Sequence, residues 1–371
     1  MELDLTSEQQ QIKDAVRRFL SRECTPAMVR KMREEHAALP REIWQSMAEL
    51  GWLSLPFAEA YGGAGSDWVT LAVVVEELGR ACDPTPFVDC IVTCGWLIQD
   101  VGSEAQKQQW LPPLIEGKLM LSLATHEETA LRGAGTPPTT LHQSPAGLRL
   151  DGRKYFVVNA DASDFLLVSA AMPDSAETSL VLVSPKAEGV ELIALHSLAH
   201  ANVHEVRFNN VLVPQEQWLG DGPVAQSRLD EALDRTQAFQ SAAAAGGARP
   251  VLEMTVAYAK EREQFGKPIG SFQAVQHMLA NVWTDVETAW LAAYEAITYL
   301  EAGLPAAEKV AIAKCASNAT FLQACFTAHQ IFGGMGYMWE TDLHLWTRKA
   351  KEIELAYGGP HRYRRRLAAL L

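Results

Sequence analysis

Cysteine is scarce and unpatterned in this 371-residue chain: Cys24, Cys82, Cys90, Cys94, Cys315 and Cys325 form no C-x-x-C pair and keep no regular spacing. That argues against both a zinc site and a disulfide framework and points to a reducing cytoplasm. Positive charge is also in short supply, with 32 Lys and Arg against 45 Asp and Glu for a net charge of -13. A nucleic-acid binder needs a basic face to neutralise phosphates, so that class is excluded, and any anionic ligand must meet local cations. No apolar run reaches the roughly 18–20 residues that a membrane-spanning helix requires. The opening MELDLTSEQQ lacks the cationic and apolar segments of a secretory signal, so neither secretion nor a membrane span is expected.

What is present is a chain 48% hydrophobic and 21% charged, enough for a soluble protein with a large core. A helix starts near Leu5, where Thr6 or Ser7 is placed to cap and Gln9 or Gln10 answers three residues later. Ile12, Val16, Phe19 and Leu20 then form one apolar stripe, and a second amphipathic run follows Leu39-Pro40 through Ile43, Met47 and Leu50. From about Leu119 the texture changes to short strand-like runs at 148–150, 155–158 and 165–169, separated by Asp151-Gly152 and residues 159–163. The β unit continues through 179–184 and an alternating segment from Val203 to Phe208, with Asn209-Asn210 as a turn before Val213-Pro214. Helix returns over 228–260, 274–301 and 306–332, and 352–371 closes the chain. The expected architecture is mainly α with a β insert: an N-terminal helical domain (1–118), a middle β-barrel-like domain (119–222) and a C-terminal four-helix bundle (223–371).

The most specific stretch is Tyr258-Ala-Lys-Glu-Arg262-Glu-Gln-Phe265-Gly266-Lys-Pro268-Ile269-Gly270-Ser-Phe272-Gln273-Ala-Val-Gln276-His277. Read plainly, it is two helices joined by a Gly/Pro turn. Arg262 adds a planar fork suited to a phosphate oxygen, Phe265 an apolar face and Gln273 paired amide groups, all near one helix junction. Together they suit a dinucleotide.

This run resembles the signature of the acyl-CoA dehydrogenases, an R-x-x-F-G turn followed by an F-Q-x-x-Q-H helix. Gln330-Ile-Phe-Gly333-Gly334-Met-Gly336-Tyr337 is similar to the family's Q-x-x-G-G-x-G-Y, and Arg348-Lys-Ala-Lys precedes a terminal Tyr357-Gly358. The order of helices, β domain and bundle also follows the family. The resemblance implies FAD as cofactor and acyl-CoA as substrate. A carboxylate removes the proton α to the thioester carbonyl while the β-hydrogen leaves as hydride to the flavin. It further implies FAD contacts from Thr125, Arg262, Phe265, Gln273, Gln330, Gly333 and Gly334, and substrate contacts from Asp234 and Gly358.

The same resemblance exposes losses. The usual base is a glutamate before the terminal glycine, where this chain has Tyr357; the alternative helical position holds Thr236. A phenol of ordinary pKa is only ~0.1% ionised at neutral pH, a deficit of about 4 kcal/mol in available base. Glu354 lies one helical turn before Tyr357, and Asp234 lies about 200° around a helix from Thr236, so neither is an equivalent. The family's W-I-T-N-G strand end becomes Phe156-Val157-Val158-Asn159-Ala160, T-E-P-x-x-G-S-D survives as Thr125-His126-Glu127, and D-x-[TE]-R becomes Asp234-Arg235-Thr236-Gln237. In the family a neighbouring subunit's R-x-x-F and Q-x-x-G-G residues hold the adenosine and pyrophosphate end of FAD. Those are the residues retained.

The pattern resembles the base-lacking subunit of the two-subunit, α2β2 acyl-CoA dehydrogenases of bacterial steroid side-chain breakdown. Its implied partners are a homologous subunit and an electron-transferring flavoprotein. Two other readings stay open: a self-sufficient homotetramer using Tyr357 or Glu354, and a flavin-free structural subunit. His196, His200 and His204 recur every four residues in strand-like sequence, where that spacing gathers no ligands on one face, so no metal site is expected. Arg362, Arg364, Arg365 and Arg366 could meet CoA phosphates but read first as a basic last helical turn or surface face, and Cys315 and Cys325 read as core.

Overall fold

The computed structural model describes residues 4–34, 41–127, 138–144, 147–172, 177–198 and 202–370. The helices are α1 (Ser7–Glu23), α2 (Pro26–Glu34), α3 (Arg41–Glu49), α4 (Trp68–Arg80), α5 (Trp96–Val101) and α6 (Glu104–Ile115). After the strands come α7 (Gln226–Glu261), α8 (Gln273–Glu301), α9 (Ala307–Phe332), α10 (Leu343–Leu355) and α11 (Pro360–Leu370). The architecture is mainly helical, with N-terminal helices, a central curled sheet and C-terminal helices. Two compact units result, one drawn from Met1–Glu35, Asp67–Pro84 and Gln237–Leu371, the other from His36–Ser66 and Thr85–Thr236. Among the described residues no helix is long and apolar enough to cross a membrane. The Leu39-Pro40 start of the second amphipathic run, and His200, lie outside the described residues.

In the first unit α1 begins at a capping box. Thr6 Oγ1 accepts the Gln9 N–H at 3.2 Å while Gln9 Oε1 accepts the Thr6 N–H at 3.0 Å, so Thr6 is the cap. Asp67 caps α4, which is buried along most of its length. Helices α4 and α7 meet backbone to backbone. A Cβ on Gly79 would lie 2.0 Å from Ala243 O, and one on Gly246 would lie 2.0 Å from Glu76 O. The Ser-Ala-Ala-Ala-Ala-Gly-Gly run at 241–247 supplies the small residues this crossing demands. Beside it the carboxylate of Glu76, 1% exposed, accepts from Lys13 Nζ on α1 at 2.9 Å and from Trp290 Nε1 at 3.0 Å and Tyr294 OH at 2.8 Å on α8. Glu77 accepts a bidentate pair from Arg17 Nε and Nη2 at 2.8 and 2.6 Å.

Helix α9 packs on α8, α10 and α11. It carries Lys314, fully buried, whose Nζ donates to Ile353 O at 2.5 Å and to Ala356 O at 3.3 Å. These are carbonyls at the open C-terminal end of α10, where a cation meets both unsatisfied acceptors and the negative end of the helix dipole. The expected closing helix over 352–371 is instead two helices. The chain breaks at Tyr357 (φ 56°) and Gly358 (φ 99°) before α11 starts at Pro360. Cys325 is buried as expected; Cys315 is half-buried, its thiol directed at Pro360 O at 3.7 Å.

The second unit holds a seven-stranded sheet of β1 (Leu121–Ala124), β2 (Thr140–Ser144), β3 (Gly147–Val158), β4 (Phe165–Ala171), β5 (Thr178–Val183), β6 (Val190–Leu195) and β7 (Val203–Val213). β1 runs parallel to β4; β2–β3, β3–β7, β6–β7 and β4–β5 are antiparallel. Leu148, Leu150, Val157, Val168, Val206, Phe208 and Trp218 fill its core. Two expected breaks are not breaks. Asp151-Gly152 lies inside β3 and Asn209-Asn210 inside β7, because these residues form a bulge across one strand pair rather than turns. Asn210 takes a φ of 52° and its N–H reaches Asp151 Oδ1 at 2.7 Å. A Cβ on Gly152 would lie 2.5 Å from Thr139 Cα.

Two stability measurements follow from these buried charges. Glu76→Ala strands Lys13 and the donors of Trp290 and Tyr294, and should cost about 3–5 kcal/mol in urea unfolding. Burial pulls the Lys314 pKa from 10.5 down to about 7, opposed by Glu354. The unfolded chain then binds the extra proton between about pH 7 and 10.5, so wild-type stability rises with pH across that window and the penalty is constant below it. Lys314→Met should flatten this rise by up to ~1.4 kcal/mol per pH unit, and equal slopes would show that the ammonium stays charged in the fold.

Candidate functional site

At the end of α7, Arg262 is exposed, and its carbonyl accepts the Ile269 N–H at 2.8 Å across a small hairpin of β8 (Glu263–Gln264) and β9 (Lys267–Pro268). Phe265 and Gly266 form the two-residue turn with φ values of 56° and 77°, the backbone that a tight hairpin favours. Glycine takes this conformation freely, whereas phenylalanine does not. The Phe265 ring is 92% exposed and meets Phe272 edge-on at 6.1 Å. Gln273 is exposed at the first position of α8.

Gln330 is exposed in the last turn of α9, followed by Gly333, whose φ of 58° and ψ of -135° belong to glycine alone. Nothing lies within 4 Å of a Cβ built on Gly333 or Gly334, so the backbone there is open to an incoming group. Tyr258 and Phe332 stack at 4.2 Å and 12°, which pins the end of α7 to the end of α9. Arg262 lies one helical turn beyond Tyr258, and Gly333 directly follows Phe332. One edge of the first unit therefore displays a cation, an aromatic ring and open backbone amides, a donor set for an extended anionic ligand that bears ring systems.

Tyr357 and Gly358 sit in the break between α10 and α11, behind the carbonyls that Lys314 clamps. Arg362 Nη1 donates to Tyr357 O at 3.4 Å, and Gly358 takes a φ of 99°, a backbone that favours glycine, with Arg362 Cδ 2.7 Å from where a Cβ would lie. Glu354 belongs to α10 and is ion-paired with Lys351. The sequence pattern did not mark Lys314, because a lysine within a helical pattern counts as a surface residue.

In the second unit Thr236 is fully buried on α7. Its Oγ1 donates to Ala232 O at 2.8 Å and lies 2.7 Å from Thr93 Oγ1, on the π-helical segment Val88–Gly95. Its neighbour Arg235 reaches Asp100 Oδ2 at 2.6 Å and lies over the Trp96 ring at 4.3 Å, while Asp234 is half-buried. Thr125 follows β1 and is half-buried. Two residues on, Glu127 Oε1 accepts from Lys154 Nζ at 2.6 Å and from the Thr139 N–H at 3.0 Å. Lys154 is a second buried lysine that the sequence pattern passed over, and desolvation lowers its pKa. Beyond it, Phe156 takes a φ of 56°, and Val158, whose carbonyl accepts from Ser122 Oγ at 2.6 Å, has no hydroxyl to offer. Of the expected histidines, His204 lies buried on β7 and His196 follows β6.

Comparison with known proteins gives these arrangements a lineage. Residues 6–118 match the family model described as acyl-CoA dehydrogenase, N-terminal domain, and residues 227–369 match the C-terminal domain of the same family. The probable acyl-CoA dehydrogenase YngJ of Bacillus subtilis (strain 168) is 30% identical, covering 96% of each chain. Butyryl-CoA dehydrogenase from Megasphaera elsdenii superposes with a TM-score of 0.91 at 27% identity, over 100% of this chain and 99% of that one. A chain of the ChsE4-ChsE5 complex from Mycobacterium tuberculosis gives 0.90 at 26% identity, over 100% and 98%. The chain belongs to the acyl-CoA dehydrogenase family, FAD-dependent oxidoreductases that dehydrogenate acyl-CoA thioesters.

Proposed function

We propose that this chain is a subunit of an FAD-dependent acyl-CoA dehydrogenase that lends the distal half of the cofactor site to a homologous catalytic partner. The observation that carries this is the fate of the two base positions. Thr236 spends its hydroxyl on Ala232 O and Thr93, and Tyr357 sits in a helix break with its carbonyl held by Arg362. Neither is a carboxylate. Proton abstraction α to a thioester needs a base whose pKa lies near the working pH, and an ordinary phenol falls short by about 4 kcal/mol.

The residues present fit one end of FAD better than the other. Arg262 would meet the pyrophosphate, Phe265 would cover an apolar ring, and Gln273, Gln330 and the backbone at Gly333 and Gly334 would hydrogen-bond the adenosine half. When bound, FAD supplies the hydride acceptor. On the flavin side, Thr125 remains, but Val158 offers no hydroxyl. Asp234 and Gly358 remain as substrate contacts. The partner would supply the base, and an electron-transferring flavoprotein would take the electrons. The ChsE4-ChsE5 complex, itself built from two proteins, supports the subunit arrangement by analogy.

Co-expression with a homologous neighbour, followed by counting flavin per protomer and measuring turnover of acyl-CoA with an acceptor dye, tests the assignment. The expected result is little turnover from the chain alone and full turnover from the assembly. One FAD per protomer and normal turnover by the isolated chain would overturn it. In the assembly Tyr357→Phe should leave turnover within about twofold; loss of activity with flavin still bound would instead make Tyr357 the base of a self-sufficient enzyme.

A further inference from the structure

Helix α10 ends without the closure that helices commonly make. In the usual left-handed ending the residue after the cap takes a positive φ, and the N–H of the residue beyond it folds back to the carbonyl three residues before the cap. Here the cap is Ala356, with φ -58° and ψ 130°, and Tyr357 takes the positive φ of 56°. The Gly358 N–H, which would return to Ile353 O, donates to Leu355 O instead at 3.3 Å. Ile353 O is left for Lys314, which reaches across from α9 to donate to it at 2.5 Å and to Ala356 O at 3.3 Å. An ammonium on another helix supplies the bond that the main chain of α10 does not make.

Lys314 is fully buried, and its bonding contacts are with main chain rather than with a carboxylate. The acidic side chains of the same turn, Glu352 and Glu354, are ion-paired with Lys349 and Lys351 of α10 itself. Beyond the break, the exposed Arg362 holds Tyr357 O through Nη1 at 3.4 Å. A tyrosine stays in the left-handed region only where its surroundings over-determine it. Two cations, one buried and one exposed, supply that constraint.

We propose that Lys314 is a positioning residue for substrate: by holding Ile353 O and Ala356 O it sets where α10 stops and presents the Tyr357–Gly358 turn to the acyl-CoA thioester. The assignment rests on the reading above that Gly358 meets acyl-CoA. Lys314 is too deeply buried to touch the substrate and acts through the main chain.

The test follows hydrogen exchange over residues 352–360 of this chain in the co-expressed assembly, with acetyl-CoA as the probe. Acetyl-CoA carries the thioester but has no β-carbon, so it binds without losing a hydride. Saturating acetyl-CoA should slow exchange in this peptide of the wild type. Lys314→Met should speed exchange there by roughly 10- to 150-fold and raise the acetyl-CoA concentration for half-protection by a similar factor, the change expected when a hydrogen bond from a charged group is lost. Peptides of α4 should exchange as in wild type. Lys314→Gln keeps one donor, should fall between the two, and replaces the Met variant if that one does not assemble. Wild-type exchange and midpoint in these variants overturn the proposal. Faster exchange with an unmoved midpoint, faster exchange that extends to α4, or failure of both variants to assemble makes Lys314 a structural residue only and also overturns it. If acetyl-CoA gives no protection in the wild type, the proposal and the substrate contact at Gly358 both fail, while the cofactor-lending role, judged by flavin counting, stands.

Discussion

The first unit is organised around one buried carboxylate. Glu76 draws donors from α1 and α8 onto α4 at the place where α4 and α7 touch backbone to backbone. A buried charge is tolerated only when it is paired and hydrogen-bonded, so Lys13, Trp290 and Tyr294 cannot vary independently. The crossing at Gly79 and Gly246 sets where α7 lies, and hence where it delivers Tyr258 against Phe332. The display of Arg262, Phe265 and the Gly333 turn on one edge depends on that register.

Several features were legible because their causes are local. The Thr6–Gln9 capping box needs only four consecutive residues. The bulge in the sheet was not legible, because Asp151 and Asn210 lie in different strands and explain each other only once β3 and β7 are paired. Taken singly, Asp-Gly and Asn-Asn are turn signals, and the long-range pairing overrides them.

The buried lysines failed to register for a related reason. Pattern reading counts lysine as polar and assigns it to the surface, whereas Lys314 and Lys154 are core residues that satisfy a helix end and a carboxylate respectively. Both sit beneath positions that the proposed function turns on. Lys314 fixes the end of α10 just before Tyr357, and Lys154 ties Glu127 to the strand that leads into Phe156 and Val158.

The Phe265-Gly266 turn has a consequence for how such a chain can change over time. A bulky residue in the left-handed region costs on the order of 1 kcal/mol or more, and a ring that is 92% exposed recovers almost none of it by burial. Asparagine would relieve the backbone at once. For the isolated protomer, then, drift should run away from phenylalanine, and the occupant proposed above would give the ring a reason to stay. Under the proposed cofactor-lending role, Phe265 is where the backbone of the fold and the contact with the assembly pull in opposite directions.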